Sequence, residues 1–257
     1  MSIENLLSLN DKTVLISGAS SGLGEHFAKV MAQAGAEVVV AARRVDKLEA
    51  VVAEIEAAGG RAHLLEMDVT SAKSVEAAFS LLDGMINGLD ILVNNAGIST
   101  TPTKFIELEE DDWGYLLDVN LKGAWRVARQ GAIRMQKRGK GSIINTGSIY
   151  SLCTGILKAD YNVSKVAVGQ LTKNMALELS RSGVRVNALC PGYFSSAIND
   201  AEFNTERGKA YVARLVPQRL GQFDELTGPL LLLASDAGSY VNGTTLVVDG
   251  GSLLSPI

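Results

Sequence analysis

Tyr161-Asn162-Val163-Ser164-Lys165 opens a predicted helix. Residues four apart share a helix face, so the phenol and the ammonium can point the same way. A phenol titrates near pKa ~10, too high for a base at neutral pH, and an adjacent ammonium favours the phenolate. Bringing it to neutrality asks for roughly 4 kcal/mol of differential stabilisation, much of which one partly desolvated charge can supply. Ser148 follows a short apolar run, in Thr146-Gly147-Ser148. Beyond a strand end its hydroxyl can donate to a substrate oxygen. Gly147 directly precedes it and Tyr150 takes the last position, so this is no G-x-S-x-G nucleophile elbow. The chemistry these residues suit is proton transfer at an oxygen.

A second group reads as an anion site. Ser17-Gly18-Ala19-Ser20-Ser21-Gly22-Leu23-Gly24 joins a strand to a helix. Glycines allow a tight turn and close approach to a pyrophosphate, and a helix N-terminus offers free N–H groups. The G-x-x-x-G-x-G spacing differs from G-x-G-x-x-G and lacks the Lys-Ser/Thr ending of a P-loop. In a dinucleotide fold, a carboxylate after the second strand binds the ribose 2′-hydroxyl. Here that strand ends Val40-Ala41-Ala42-Arg43-Arg44. Guanidinium groups can grip a 2′-phosphate with paired hydrogen bonds, so NADP(H) is favoured over NAD(H).

The elements that must position these groups alternate. Apolar runs begin at Thr13, Val38, Ala62, Asp90, Ser142, Val184 and Thr244. Helical patterns separate them, over about 23–34, 45–58, 70–86, 109–137, 160–181 and 224–234, with Thr70 and Ser71 as candidate N-caps. Continuous Val/Ile/Leu strands between helices predict an α/β fold, a doubly wound seven-stranded parallel sheet with helices on both faces. The 257 residues fit a single domain, 1–257. Residues 191–215 have the weakest patterning, and a loop of that length in one domain is expected to be functional.

Composition narrows the function. A net charge of −4 argues against nucleic acid as a partner, and Cys153 and Cys190 are too few for a disulfide framework. His26 and His63 stand far apart, so no metal site is expected, and proton transfer falls to another residue type. The start, Met1 to Leu7, lacks a basic stretch followed by a long apolar run, and the most apolar stretch, Leu226–Ala234, is too short to span a bilayer. A cytoplasmic protein with no membrane partner is the expectation.

Taken together, the sequence resembles the short-chain dehydrogenase/reductase family, and the resemblance runs along essentially the whole chain. It rests on the Gly18/Gly22/Gly24 loop, Asp68-Val69, Asn94-Asn95-Ala96-Gly97, Asn120, Ser148, Tyr161/Lys165 and Pro191-Gly192, in family order. Ser17 stands where Thr is usual, which keeps the hydroxyl. The resemblance implies a Rossmann-like fold and hydride transfer between the nicotinamide and a carbonyl or secondary alcohol. Tyr161 would be the general acid or base, and Lys165 would lower its pKa and hold the nicotinamide ribose. Ser148 would polarise the carbonyl, and Asn120 would hold a water that links Lys165 to solvent. The glycine loop, with Ser17, Ser20, Ser21 and Leu23, would hold the pyrophosphate end, and Asp68 with Val69 would meet the adenine. Asn94, Ala96 and Gly97 would support the central strand and the ribose, and Pro191-Gly192 would face the nicotinamide.

The substrate is less legible. Ser99, Ile149, Tyr150, Leu152, Cys153 and Leu157 flank the catalytic elements and are expected to rim the site. Tyr193 and Phe194 open the 191–215 segment, which in the family covers the substrate. An apolar rim with a few hydroxyls suits a medium-sized hydrophobic ketone or alcohol better than a highly charged molecule. Glu202, Glu206, Arg207 and Lys209 read as a solvated face rather than a basic patch for an acyl carrier. The resemblance also implies a homotetramer or homodimer, and the apolar end Leu253-Leu254-Ser255-Pro256-Ile257 fits an interface. Open alternatives are an NAD-dependent alcohol dehydrogenase, a 3-oxoacyl reductase, a lyase or epimerase with a permanently bound cofactor, and a cofactor-binding regulator without chemistry.

Overall fold

The computed structural model describes residues 3–195 and 203–254. Seven parallel strands form one sheet in the order β3-β2-β1-β4-β5-β6-β7. They are β1 (Thr13–Ser17), β2 (Glu37–Ala42), β3 (Arg61–Glu66), β4 (Ile91–Asn94), β5 (Gly141–Thr146), β6 (Val184–Pro191) and β7 (Thr245–Val248). The helices are α1 (Ile3–Leu7), α2 (Gly22–Gln33), α3 (Val45–Ala57), α4 (Ala72–Met85), α5 (Glu110–Leu117), α6 (Ala124–Arg138), α7 (Ala159–Leu179), α8 (Glu206–Val212) and α9 (Thr227–Ala234). This is the doubly wound α/β fold the alternation predicts.

The strand period of two explains why the runs are apolar throughout. Val14 and Ile16 point to one face, against Phe27 and Met31 of α2, Leu48 of α3 and Leu230 of α9. Leu15 points to the other, with Val75 and Phe79 of α4, Val127 of α6 and Ala176 of α7. Strand order reverses at β1, which pairs with β2 on one side and β4 on the other. The crevice beyond the carboxyl ends at that reversal is where such sheets bind ligands.

Buried polar groups tie the centre of the sheet together. The Ser17 hydroxyl donates to Asn94 Oδ1 (3.4 Å), Asn94 Nδ2 donates to Asn145 Oδ1 (3.0 Å), and Asn145 Nδ2 donates to Thr172 Oγ1 (2.9 Å). This chain of partners runs from β1 through β4 and β5 to α7, and satisfaction at each step keeps it from destabilising the core.

Two readings differ from the sequence pattern. The stretch 109–137 is not one helix: a π-helical segment, Asp118–Gly123, separates α5 from α6. It forms where Asn94 donates to the Ala124 carbonyl (2.8 Å) and where a Cβ on Gly123 would stand 2.9 Å from Val69 Cγ2. Tertiary contact therefore sets the local winding. The weakly patterned 191–215 segment contains α8, capped by Thr205, whose hydroxyl accepts the Gly208 N–H (3.0 Å). Seven residues are too few for a periodic signal. Residues 196–202, with Glu202, and residues 255–257 of the apolar end lie outside the described residues. Of the candidate caps, Ser71 caps α4 by accepting the Ser74 N–H (3.2 Å), while Thr70 turns to Asp68. Among the described residues no helix is long and apolar enough to cross a membrane, and no side-chain cluster suits a metal ion.

Candidate active site

The loops after β1 and β4 are stitched to each other before they meet anything else. Ser17 Oγ accepts the N–H groups of Asn95 (3.0 Å) and Ala96 (3.1 Å). Asn95 Nδ2 returns to the carbonyls of Ser17 (3.2 Å) and Gly18 (3.3 Å). Gly18 has φ +69°, and a Cβ there would stand 2.7 Å from the Ala96 Cα, so both the turn and the close approach require glycine. The loop ends at Gly22, where the N-terminus of α2 faces a cleft of about 600 Å³.

Arg43 and Arg44 close one end of that cleft. Arg44 donates to Ser20 Oγ (2.8 Å) and Ser21 Oγ (2.8 Å), bracing the glycine loop from β2. Asp68 faces the cleft after β3 and takes the Thr70 N–H (2.9 Å) and hydroxyl (2.8 Å). Burial works to raise its carboxyl. The Thr70 donors and the Arg43 and Arg126 guanidinium groups outweigh that and hold it below the ordinary carboxylate value.

Ser148, Tyr161 and Lys165 also line the cleft. Ser148 caps the turn after β5: its Oγ accepts the Tyr150 N–H (3.2 Å), and its own N–H meets Ser151 Oγ (3.4 Å). Ser151 Oγ in turn donates to the Lys165 carbonyl (2.8 Å), which fastens this turn to α7. The Ser148 hydroxyl and the Tyr161 phenol line the same cleft, and the hydroxyl works to lower the phenol. Lys165 Nζ stands 5.6 Å from the Tyr161 ring centroid and donates to the Thr146 carbonyl (2.9 Å). Burial brings the Lys165 ammonium down to about 8, opposed by Cys190. Burial also pushes the Tyr161 phenol up, opposed by the Ser148 hydrogen bond. Within the chain itself the protein environment therefore keeps Tyr161 protonated.

Residues 12–207 match the family model for short chain dehydrogenase. The chain belongs to the short-chain dehydrogenase family. Gluconate 5-dehydrogenase of Gluconobacter oxydans is 36% identical over 256 residues, which cover 99% of this chain and 100% of that protein. The 3beta-hydroxysteroid dehydrogenase 1 of Eggerthella lenta is 38% identical over 252 residues, 96% of each. A solved gluconate 5-dehydrogenase from Burkholderia cenocepacia, in complex with NADP and tartrate, superposes with a TM-score of 0.94 at 36% identity over 100% of both chains.

Against the family pattern, the cleft takes in most of the residues expected from sequence and leaves some behind its wall. Gly18, Ser20, Ser21, Gly22, Leu23, Arg43, Arg44, Asp68, Val69, Ala96, Gly97, Ser99, Pro191, Gly192, Tyr193 and Phe194 line it with the Ser148–Tyr161–Lys165 group. Ser17, Asn94 and Gly24 are not in the lining. The first two belong to the buried polar chain of the sheet, and a Cβ on Gly24 would strike the Gly18 carbonyl, so its smallness serves packing. Asn120 sits in the π-helical segment with its side chain committed to Ile98 N–H (2.8 Å), Ile98 carbonyl (2.9 Å) and Ser164 Oγ (3.2 Å). Its amide anchors the loop after β4 to α7.

At the substrate end, Tyr150, Cys153 and Leu157 stand back from the lining. Burial and the Asp249 charge push the Cys153 thiol up, so it stays protonated. Leu157 adopts φ +61° and its carbonyl takes the Thr103 N–H (3.0 Å), tying the start of α7 to the loop after β4. Asn95 and Thr146 also line the cleft; Asn95 is legible only as part of its motif, and Thr146, which offers a backbone carbonyl, has no motif. Phe223, on the turn before α9, joins the lining from far along the chain.

Proposed function

We propose that the chain moves a hydride between NADP(H) and a ketone or secondary alcohol. In this reading residues 1–257 act as one domain, and the 191–215 segment closes over the substrate. The observation that carries it is the meeting of Ser148, Tyr161 and Lys165 in one cleft with Arg43 and Arg44, the Lys165 ammonium 5.6 Å from the Tyr161 ring centroid. The cleft fits a dinucleotide phosphate. Gly22 has open space where a Cβ would stand, the N-terminus of α2 offers N–H groups to a pyrophosphate, and two guanidinium groups suit a 2′-phosphate. When bound, the cofactor supplies the hydride chemistry.

The chain's own residues handle the proton. Ser148 Oγ and Tyr161 Oη converge on one oxygen of the substrate. In reduction the Tyr161 hydroxyl gives its proton to that oxygen as the alcohol forms; in oxidation the phenolate takes it back. Lys165 offsets the phenolate charge at the moment it exists. At neutral pH a phenol is in the acid form that reduction uses, and burial of Tyr161 works in the same direction. Tyr161→Phe should abolish turnover across a panel of ketones and 3-oxoesters while NADPH still binds in a fluorescence titration. Full activity of that variant would sink the mechanism.

A second reading, a hydroxylated acid as in the gluconate dehydrogenases, draws on Lys158, whose ammonium donates to the rim residue Ser99 (3.1 Å). Exposed Val163, Val166 and Leu177 on α7, with Trp125 on α6 and Leu254, suit burial against further copies of this chain in a homodimer or homotetramer.

A further inference from the structure

We propose that Tyr193, braced by Tyr150 and Tyr211, is the specificity-determining wall of the substrate end and selects an uncharged, ring-shaped ketone or alcohol over an open-chain acid. This rests on the oxidoreductase reading above. Tyr193 follows Pro191-Gly192 and lines the cleft. Its hydroxyl is hydrogen-bonded to that of Tyr150 (2.7 Å). The Tyr211 ring meets it edge-on at 5.2 Å, and Phe203 stands 6.3 Å away. With its hydroxyl held by Tyr150 and its ring packed against Tyr211, what Tyr193 brings to the cleft is rigid ring surface. The wall also adjoins the reacting group, because the Tyr150 ring stands perpendicular to that of Tyr161 at 6.0 Å.

Charge points the same way. Among the described residues, the cations lining the cleft are Arg43, Arg44 and Lys165, and Lys165 donates to the Thr146 carbonyl. Residues 196–202, Ser-Ala-Ile-Asn-Asp-Ala-Glu, contribute no Lys or Arg by sequence. Lys158 lies outside the lining, engaged with Ser99 Oγ and the Thr100 carbonyl. A carboxylate placed beside Tyr193 would lose its hydration without gaining an ion pair in the lining, a heavy penalty. A ring, in contrast, presents C–H edges to aromatic surface and has few rotors to freeze on binding.

The test compares cyclohexanone and 4-alkylcyclohexanones with 5-oxohexanoate as substrates under NADPH, in wild type, Tyr193→Phe, Tyr193→Ala and Tyr211→Ala. A calorimetric titration of the NADP⁺-loaded protein with cyclohexanol and with 5-hydroxyhexanoate gives a readout independent of turnover. Wild type should favour the cyclic ketones at least tenfold in kcat/KM. Tyr193→Ala should erase that preference chiefly through KM, and Tyr193→Phe should keep most of it. Tyr211→Ala, at a partly exposed position, should weaken it severalfold and serves where Tyr193→Ala fails to fold. Preference for the acid, a preference unchanged in the folded alanine variants, or no cyclic ligand bound overturns the wall. Cyclohexanol bound through Tyr193 with no turnover of any ketone upholds the wall and overturns the oxidoreductase reading instead.

Discussion

At Lys165 the burial of a single charge makes stability depend on pH. Its ordinary value of 10.5 falls to about 8 in the folded chain. Between those pH values the unfolded chain binds more protons at this group, so stability rises with pH across the window and is lowest below it. The full difference is about 3 kcal/mol. Cys190 and Tyr161, both pushed up, act in the opposite sense at higher pH. The Lys165 contribution is therefore the difference between wild type and Lys165→Met in urea unfolding from pH 7 to 10. The wild type should gain up to about 3 kcal/mol relative to the variant, and parallel curves would refute the burial of a charged amine. The sign for Tyr161 gives a second expectation. Alcohol oxidation needs the phenolate, so its rate should climb through the alkaline range, while ketone reduction stays flat near neutrality. At the other end, Arg43→Ala should weaken NADPH far more than NADH, since only the former carries the 2′-phosphate. Arg44→Ala should weaken both, because Arg44 also braces Ser20 and Ser21.

Between elements, short connections fix the reacting groups more firmly than any helix does alone. The carboxylate of Asp160, buried one residue before Tyr161, accepts the Thr100 hydroxyl (2.6 Å) and the Tyr161 N–H (2.7 Å). It fastens the loop after β4 to the first turn of α7. Thr100→Val removes a donor from a buried carboxylate and should cost about 1–3 kcal/mol of stability, with a fall in kcat/KM that Thr100→Ser restores. Loss of stability without a change in kcat/KM would make the contact structural only. Gly18→Ala tests the loop junction. A positive φ and a Cβ 2.7 Å from the Ala96 Cα leave no room, so NADPH affinity should collapse in a titration, even where the protein still folds. The loop's glycines were legible as a motif; Asn95 as the stitch between the two loops was not, since its role depends on β1 and β4 being neighbours.

For the whole molecule, the two apolar layers account for every long helical pattern in the sequence, yet α7 keeps Val163, Val166 and Leu177 exposed along its length. Large apolar side chains left exposed along a long helix ask for cover. Light scattering should return a multiple of the 27.2 kDa chain mass, and a monomer at micromolar concentration would refute the oligomer. Leu254 is 83% exposed and would be shielded in such an assembly.

By itself the sequence determined the strand alternation, the glycine loop, the Arg43-Arg44 ending of β2 and the Ser148, Tyr161 and Lys165 set, because periodicity and spacing along one chain encode them. Only the tertiary structure decided which residues stand in the cleft and which stand behind it. Ser17 and Asn94 became members of a buried polar chain. The helix read across 109–137 broke into a π-helical segment at Asn120, and Tyr193 met Tyr150 and Tyr211. It also set the surroundings of Tyr161: spacing places an ammonium nearby, but only the fold buries the phenol and so pushes it up. These outcomes depend on contacts between residues distant in sequence, and on the water those contacts exclude, neither of which a local pattern records.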